Sequence, residues 1–209
     1  MNMTDKAKPS AESPRNRAFS FLLSAVLCVL GSQGPGLAQS ESKASPAQNY
    51  FTDTALINQE GQQMRFYSDL LKDKVVIINS FFTTCTSVCP PMTKTLERIQ
   101  GWLGDRLGKD VNMISLSVDP DIDTPPRLKE YARKFNAKPG WYFLTGKKQN
   151  VEFVLRKVGQ FVESRDDHST IIIIGNLRTG LWKKAMGLAK PDDLIKVVDS
   201  VLNDNPEAK

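Results

Sequence analysis

Outside an apolar N-terminal stretch that holds Cys28, this chain has two cysteines, Cys85 and Cys89, and one histidine, His168. Two thiols four residues apart can share one face of a helical turn. Thiolate sulfur with imidazole nitrogen is a ligand set suited to copper. The same pair could instead form a disulfide or act as a thiol nucleophile. A structural disulfide is the weaker reading, because a bridge across four residues closes a very small loop and constrains the unfolded chain least. A lone histidine, taken by itself, is most often an ordinary loop residue.

The flanking residues indicate how the cysteines are held. Thr84-Cys85-Thr86-Ser87-Val88-Cys89-Pro90 follows the apolar run Val75 to Phe82 and precedes a segment with helical periodicity. Lys74 to Phe82 is β-branched and apolar, as expected of a buried central strand. Met92, Leu96, Ile99 and Leu103 recur at helical spacing, which predicts a helix from about Pro90 to Leu107. That spacing makes Met92 a core residue rather than a thioether ligand. Cys89 then sits at a helix start, where the helix dipole and free amides are expected to favour its thiolate.

The remaining elements alternate. A hairpin is expected over Leu56 to Phe66, broken at Glu60-Gly61. Strands are expected over Val111 to Val118 and Trp141 to Leu144, and a strong one over Ser169 to Ile174, with Leu181 to Met186 pairing back. Helices are expected after Thr124-Pro125, an N-cap followed by a first-turn proline, over 148–159, and from Pro191 to Leu202. The fold class is therefore α/β, with a mixed sheet, helices on both faces and an N-terminal hairpin. His168 precedes the strand Ser169–Ile174. If that strand runs antiparallel to Val75–Phe82, the imidazole lands beside the cysteines; the hairpin-like tail favours that sense.

The clustered Asp119, Asp121 and Asp123 read as a turn and helix cap. Asp166 and Asp167 could orient the imidazole.

Residues 1–38 read as a signal peptide or membrane anchor. A basic segment leads into the apolar run Ala18 to Leu30, and Gly36-Leu37-Ala38 resembles a cleavage site. Residues 39–50 read as a polar linker and 51–205 as one domain. Export places the thiols in an oxidising compartment, so free thiols there require a reducing partner. The formal charge of +5 is spread along the chain. With no basic stripe or interleaved aromatics, no nucleic-acid partner is expected.

Cys85-x-x-x-Cys89-Pro90 after an apolar strand, Leu116-Ser-Val-Asp-Pro-Asp-Ile-Asp-Thr-Pro125, Trp141 to Gly146 and Asp167-His168-Ser169 occur in one order over about residues 51–203. In these pieces the chain resembles the Sco/SenC copper chaperones of cytochrome c oxidase assembly. The resemblance implies a thioredoxin-like fold and one copper, as Cu(I) and in some states Cu(II), bound by Cys85, Cys89 and His168. It also implies a redox disulfide between Cys85 and Cys89, a thioredoxin-like thiol reductant, and the copper-bearing oxidase subunit as acceptor. The setting it implies is the periplasm, soluble or tethered to the membrane. Many members carry Pro and Asp between the cysteines where this chain has Thr86 and Ser87. The rival readings are a thiol-disulfide oxidoreductase, which normally has two residues between its cysteines, and a thiol peroxidase, suggested by Thr86-Ser-Val-Cys89-Pro90.

Overall fold

The computed structural model describes residues 44–205. The leader reading of 1–38, with Cys28, lies outside the described residues. Seven strands form one mixed sheet: β1 (Ala55–Asn58), β2 (Gln63–Arg65), β3 (Val75–Phe81), β4 (Val111–Ser117), β5 (Trp141–Thr145), β6 (Ile171–Asn176) and β7 (Trp182–Met186), in the spatial order β2-β1-β5-β4-β3-β6-β7. β3, β4 and β5 run parallel, whereas β6 is antiparallel to β3 and β7 to β6. The expected hairpin β1–β2 extends the other edge, β1 pairing antiparallel to β5.

Alternation along the central strands builds two cores. Val75, Ile77 and Phe81 of β3 face one core, with Ile172 and Ile174 of β6; Val76 and Ile78 face the other, with Ile173. The first core is closed by α2 (Cys89–Leu103), α3 (Pro125–Lys134) and α5 (Pro191–Leu202). The second is closed by α1 (Pro46–Phe51), a π-helical turn over Phe66–Leu71 and α4 (Lys148–Lys157). With both faces covered, β3 and β4 are buried at every position, which is why β3 opens as the continuous apolar run Val75–Ile78 and why the polar residues of both strands, Asn79, Ser80, Asn112, Ser115 and Ser117, are buried as well.

Several boundaries differ from the sequence expectation. Residues 46–50 of the expected polar linker belong to α1, whose N-cap Ser45 accepts a hydrogen bond from the Gln48 amide at 3.1 Å and whose first residue is Pro46. Ser-Pro is a helix-start signal that the polar composition obscured. α2 ends at Leu103, and Gly104–Arg106 tightens into a 3-10 turn. Thr124 occupies the N-cap of α3, but its side chain makes no capping bond.

Strand register determines which loops share an edge. Val75 pairs with Asn176 and Ile78 with Ile173, so the start of β6 lies beside the end of β3. The segment entering β6 and the segment leaving β3 therefore meet at one edge of the sheet.

Candidate metal centre

The antiparallel sense of β6 brings His168 to the cysteines. Cys89 Sγ lies 3.1 Å from His168 Nε2. The Sγ atoms of Cys85 and Cys89 and a ring nitrogen of His168 all lie within 4.8 Å of one another. Ligands set trigonally around a metal with bonds of about 2.3 Å would stand about 4 Å apart. The cluster is thus compact enough to share one ion with small side-chain adjustment.

Local sequence explains the cysteine geometry. Cys89, Pro90 and Pro91 form the first turn of α2, and the two prolines have no amide hydrogen. Within that turn the only free donor is the Cys89 amide, and it points to Cys85 Sγ at 3.4 Å. Cys85 also has the Ser87 hydroxyl 3.8 Å away. Partial burial works against the Cys85 thiolate, but the Cys89 amide and thiol and the Ser87 amide and hydroxyl outweigh it, and its pKa falls below the ordinary thiol value. Burial pushes the Cys89 thiol strongly up, reinforced by the charge of Cys85 and, from further off, Asp123. The expectation that the helix start favours the Cys89 thiolate is therefore reversed. The amide of Cys89 serves the preceding cysteine, while its own sulfur is turned into the core and fully buried.

The imidazole is held by both nitrogens and one ring contact. His168 Nδ1 is 3.0 Å from the Arg165 carbonyl oxygen, which can only accept, so Nδ1 is the donor there and Nε2 of the neutral ring is the nitrogen whose lone pair faces the sulfurs. The Phe82 ring meets the imidazole edge-on, with centroids 5.1 Å apart. Orientation comes from this backbone oxygen and from Phe82, rather than from the carboxylates of Asp166 or Asp167. A hydrogen bond to the distal nitrogen is the usual companion of a metal-ligating histidine.

Asp123 is fully buried behind the cysteine segment. It accepts hydrogen bonds from the Thr83 amide at 3.1 Å, the Thr83 hydroxyl and the Ser117 hydroxyl at 2.6 Å. Burial pushes its carboxyl up despite the Ser117 and Thr83 donors. It braces the turn just before Cys85, a role that no spacing in the sequence signals. Asp119 pairs with Arg165 and Asp121 stands 3.6 Å from Lys148. Met92 is fully buried in the core, as its spacing predicts. Cys85, Thr86, Ser87 and His168 open onto a surface cleft of about 360 Å³. Cys85 is the thiol reached from outside and Cys89 the one reached last.

Two protonatable sulfurs and one directed imidazole nitrogen, soft and low in number, fit a cuprous ion; cupric copper would take an added ligand. The cluster also fits a reversible dithiol–disulfide couple.

Known proteins share both sequence and fold with this chain. The SCO1 protein homolog of Bacillus subtilis is 35% identical over 118 residues, covering 55% of this chain and 60% of that protein. A SCO2-like protein of Rickettsia conorii is 34% identical over 109 residues, 52% of this chain and 51% of its own length. The chain thus spans between half and two thirds of these two relatives. Among solved structures, BsSco, described as a Sco-family cytochrome c oxidase assembly protein with a disulfide switch, superposes with a TM-score of 0.61 at 29% identity, covering 74% of this chain and 94% of that one. Bradyrhizobium japonicum ScoI with copper bound gives 0.59 at 25% identity, covering 71% and 96%. These matches establish the thioredoxin-like fold, and with the SCO1/SenC family model matching residues 42–203 the chain belongs to the SCO1/SenC family.

Proposed function

We propose that this chain is a copper-binding protein of cytochrome c oxidase assembly, which carries one copper ion on Cys85, Cys89 and His168 and hands it to the copper-bearing oxidase subunit. The observation that carries this reading is the meeting of both cysteines and the sole histidine within 4.8 Å, with the imidazole lone pair directed at the sulfurs. The copper-bound state of B. japonicum ScoI and the assembly role named for BsSco support it.

Copper is cargo here. Loading needs both thiols free, and in an oxidising compartment the Cys85–Cys89 pair tends toward the disulfide. A thioredoxin-like reductant supplies two electrons and two protons and leaves with its own disulfide. Its thiolate meets Cys85 first, since that sulfur faces the cleft. Binding the ion displaces the thiol protons, at greatest cost at buried Cys89. Release proceeds by ligand exchange, acceptor groups replacing the three side chains in turn.

The surroundings of Cys89 weigh against the peroxidase reading, which takes that residue as its nucleophile. A peroxidatic thiolate needs an exposed sulfur of lowered pKa, whereas this sulfur is fully buried and its pKa is raised. We place the protein outside the cytoplasm, tethered or free, in line with the leader-like residues 1–38 and with a Bacillus anthracis relative described as a lipoprotein, 28% identical with a TM-score of 0.60. Among the described residues no helix is long and apolar enough to cross a membrane.

The test is anaerobic copper(I) competition titration of the reduced full chain, followed by mixing with a soluble copper-bearing domain of an oxidase subunit. The proposal expects one tightly held copper per chain and its transfer on mixing. Ill-defined binding, together with peroxide or disulfide turnover that depends on Cys85 or Cys89, would replace it with the enzyme reading.

A further inference from the structure

Arg165 acts twice on the histidine segment. It opens the 3-10 turn Arg165–Asp167 that delivers His168, and its carbonyl accepts from both the His168 amide, at 3.2 Å, and Nδ1, at 3.0 Å. Its guanidinium reaches back across the site to pair with Asp119, on the segment between β4 and α3, and stands 5.4 Å from the centre of the Phe82 ring. That same ring meets the imidazole edge-on. The chain of contacts continues. The Asp119 amide donates to Ser117 Oγ at 3.0 Å, Ser117 donates to Asp123, and Asp123 takes the amide and hydroxyl of Thr83, two residues before Cys85. The segments bearing His168 and Cys85 are thus braced against each other through the β4–α3 segment.

We infer that Arg165, through its ion pair with Asp119, is a positioning residue that seats the His168 imidazole against the thiols and governs whether copper sees three ligands or two. The inference rests on the copper-carrier reading. A covalent or fully buried brace would hold the imidazole permanently. This pair is different: the Asp119 side chain is 12% exposed and that of Arg165 45%. Exposed ion pairs are weak and readily exchanged, so the latch can hold the arm in the isolated protein and give way at a partner's surface. With the latch open, the sulfurs remain and the histidine leaves, which lowers the hold on copper without unfolding the domain.

The test is a double-mutant cycle. Arg165→Ala and Asp119→Asn are each made in the wild-type and His168→Ala backgrounds, and copper(I) affinity of the reduced full chain is measured by competition. Loss of outer-shell partners typically weakens metal binding about 10–100-fold. For a solvent-reachable pair the lower end is expected, so each variant should bind about tenfold more weakly where His168 is present and unchanged where it is absent. A second readout needs no metal. The chain has a single histidine, so 15N-histidine NMR reports this one ring. Wild type should show the tautomer protonated at Nδ1, and both variants a tautomer-averaged, mobile ring.

Wild-type affinity and ring spectrum in both variants would overturn the inference, as would equal losses in the two backgrounds, which mark a merely structural role. Asp119→Asn keeps side-chain size and serves if Arg165→Ala does not fold. If wild type and His168→Ala hold copper equally, the carrier reading fails instead, and the ring spectrum alone decides the role of Arg165.

Discussion

Replacing His168 with alanine separates the metal site from the fold in a way that can be worked out in advance. The imidazole contributes an edge-on contact with Phe82 at 5.1 Å, worth about 1 kcal/mol beyond its burial. It also donates one hydrogen bond to the Arg165 carbonyl, worth about 1 kcal/mol net. With some loss of burial, the reduced metal-free variant should be less stable by roughly 2–3 kcal/mol, a tolerable part of the 5–15 kcal/mol typical of a domain. The copper effect is of another kind. Outer partners alone are worth up to about 100-fold, so loss of the ligand should weaken copper by about 100-fold or more. At free copper near 100 times the wild-type Kd, the ion stabilises wild type by about 2.7 kcal/mol. The variant, then only at its own Kd, gains about 0.4 kcal/mol. The assay is denaturant unfolding of both proteins, reduced and anaerobic, with copper(I) buffered at that level and without it. His168→Phe is the companion variant, since it retains a ring against Phe82 and lacks the ligand. If either variant kept the wild-type stabilisation by copper to within about 0.5 kcal/mol, His168 would not be a ligand and the site reasoning would fall.

Other expectations concern the thiols and the packing. In the reduced, metal-free protein, iodoacetamide should modify Cys85 well before Cys89, as peptide mapping would show; the reverse order would refute the assigned asymmetry. Because the folded pKa of Cys89 is raised, its contribution to stability is present below the unfolded value of about 8.5 and is lost as pH rises above it. Cys85 has the opposite sign. Cys89→Ser should therefore remove part of the loss of stability between about pH 8 and pH 9.5 in urea titrations, whereas Cys85→Ser should deepen it. At Gly175 an added Cβ would lie 2.3 Å from the Trp182 ring. Gly175→Ala should thus cost about 1–3 kcal/mol of folding stability, with copper affinity nearly unchanged; near-neutral stability would show that Trp182 can move aside.

The sequence alone went far on the fold. The β-branched run at Val75, the apolar residues interspersed with polar ones from Val111 to Val118, and the helical spacing of Met92, Leu96, Ile99 and Leu103 specify buried strands and an amphipathic helix, because burial acts on side chains with the periodicity of the backbone. Cys-Pro-Pro after an apolar run placed one cysteine at a helix start, and the scarcity of thiols and imidazoles narrowed the candidate ligands to three residues. α1 was missed because a short helix built of Pro46-Ala-Gln-Asn-Tyr has little apolar pattern, and it is held by contacts such as Ser45 to Tyr67, 22 residues away.

Tertiary structure decided what depends on direction and distance. Whether His168 reaches Cys89 turns on the antiparallel sense of β6, a property of the pairing rather than of either segment. Which cysteine carries the easier thiolate was misjudged from the sequence, because a helix start offers its amides to whatever group lies in front of it, and here that group is Cys85. The roles of Asp123, which looked like part of a turn, and of Arg165, which nothing in the sequence singles out, exist only once segments about 40 residues apart are folded against each other. Periodicity and residue type are local and survive in the sequence; the orientation of a ligand is set by long-range contacts, and only the folded chain holds those.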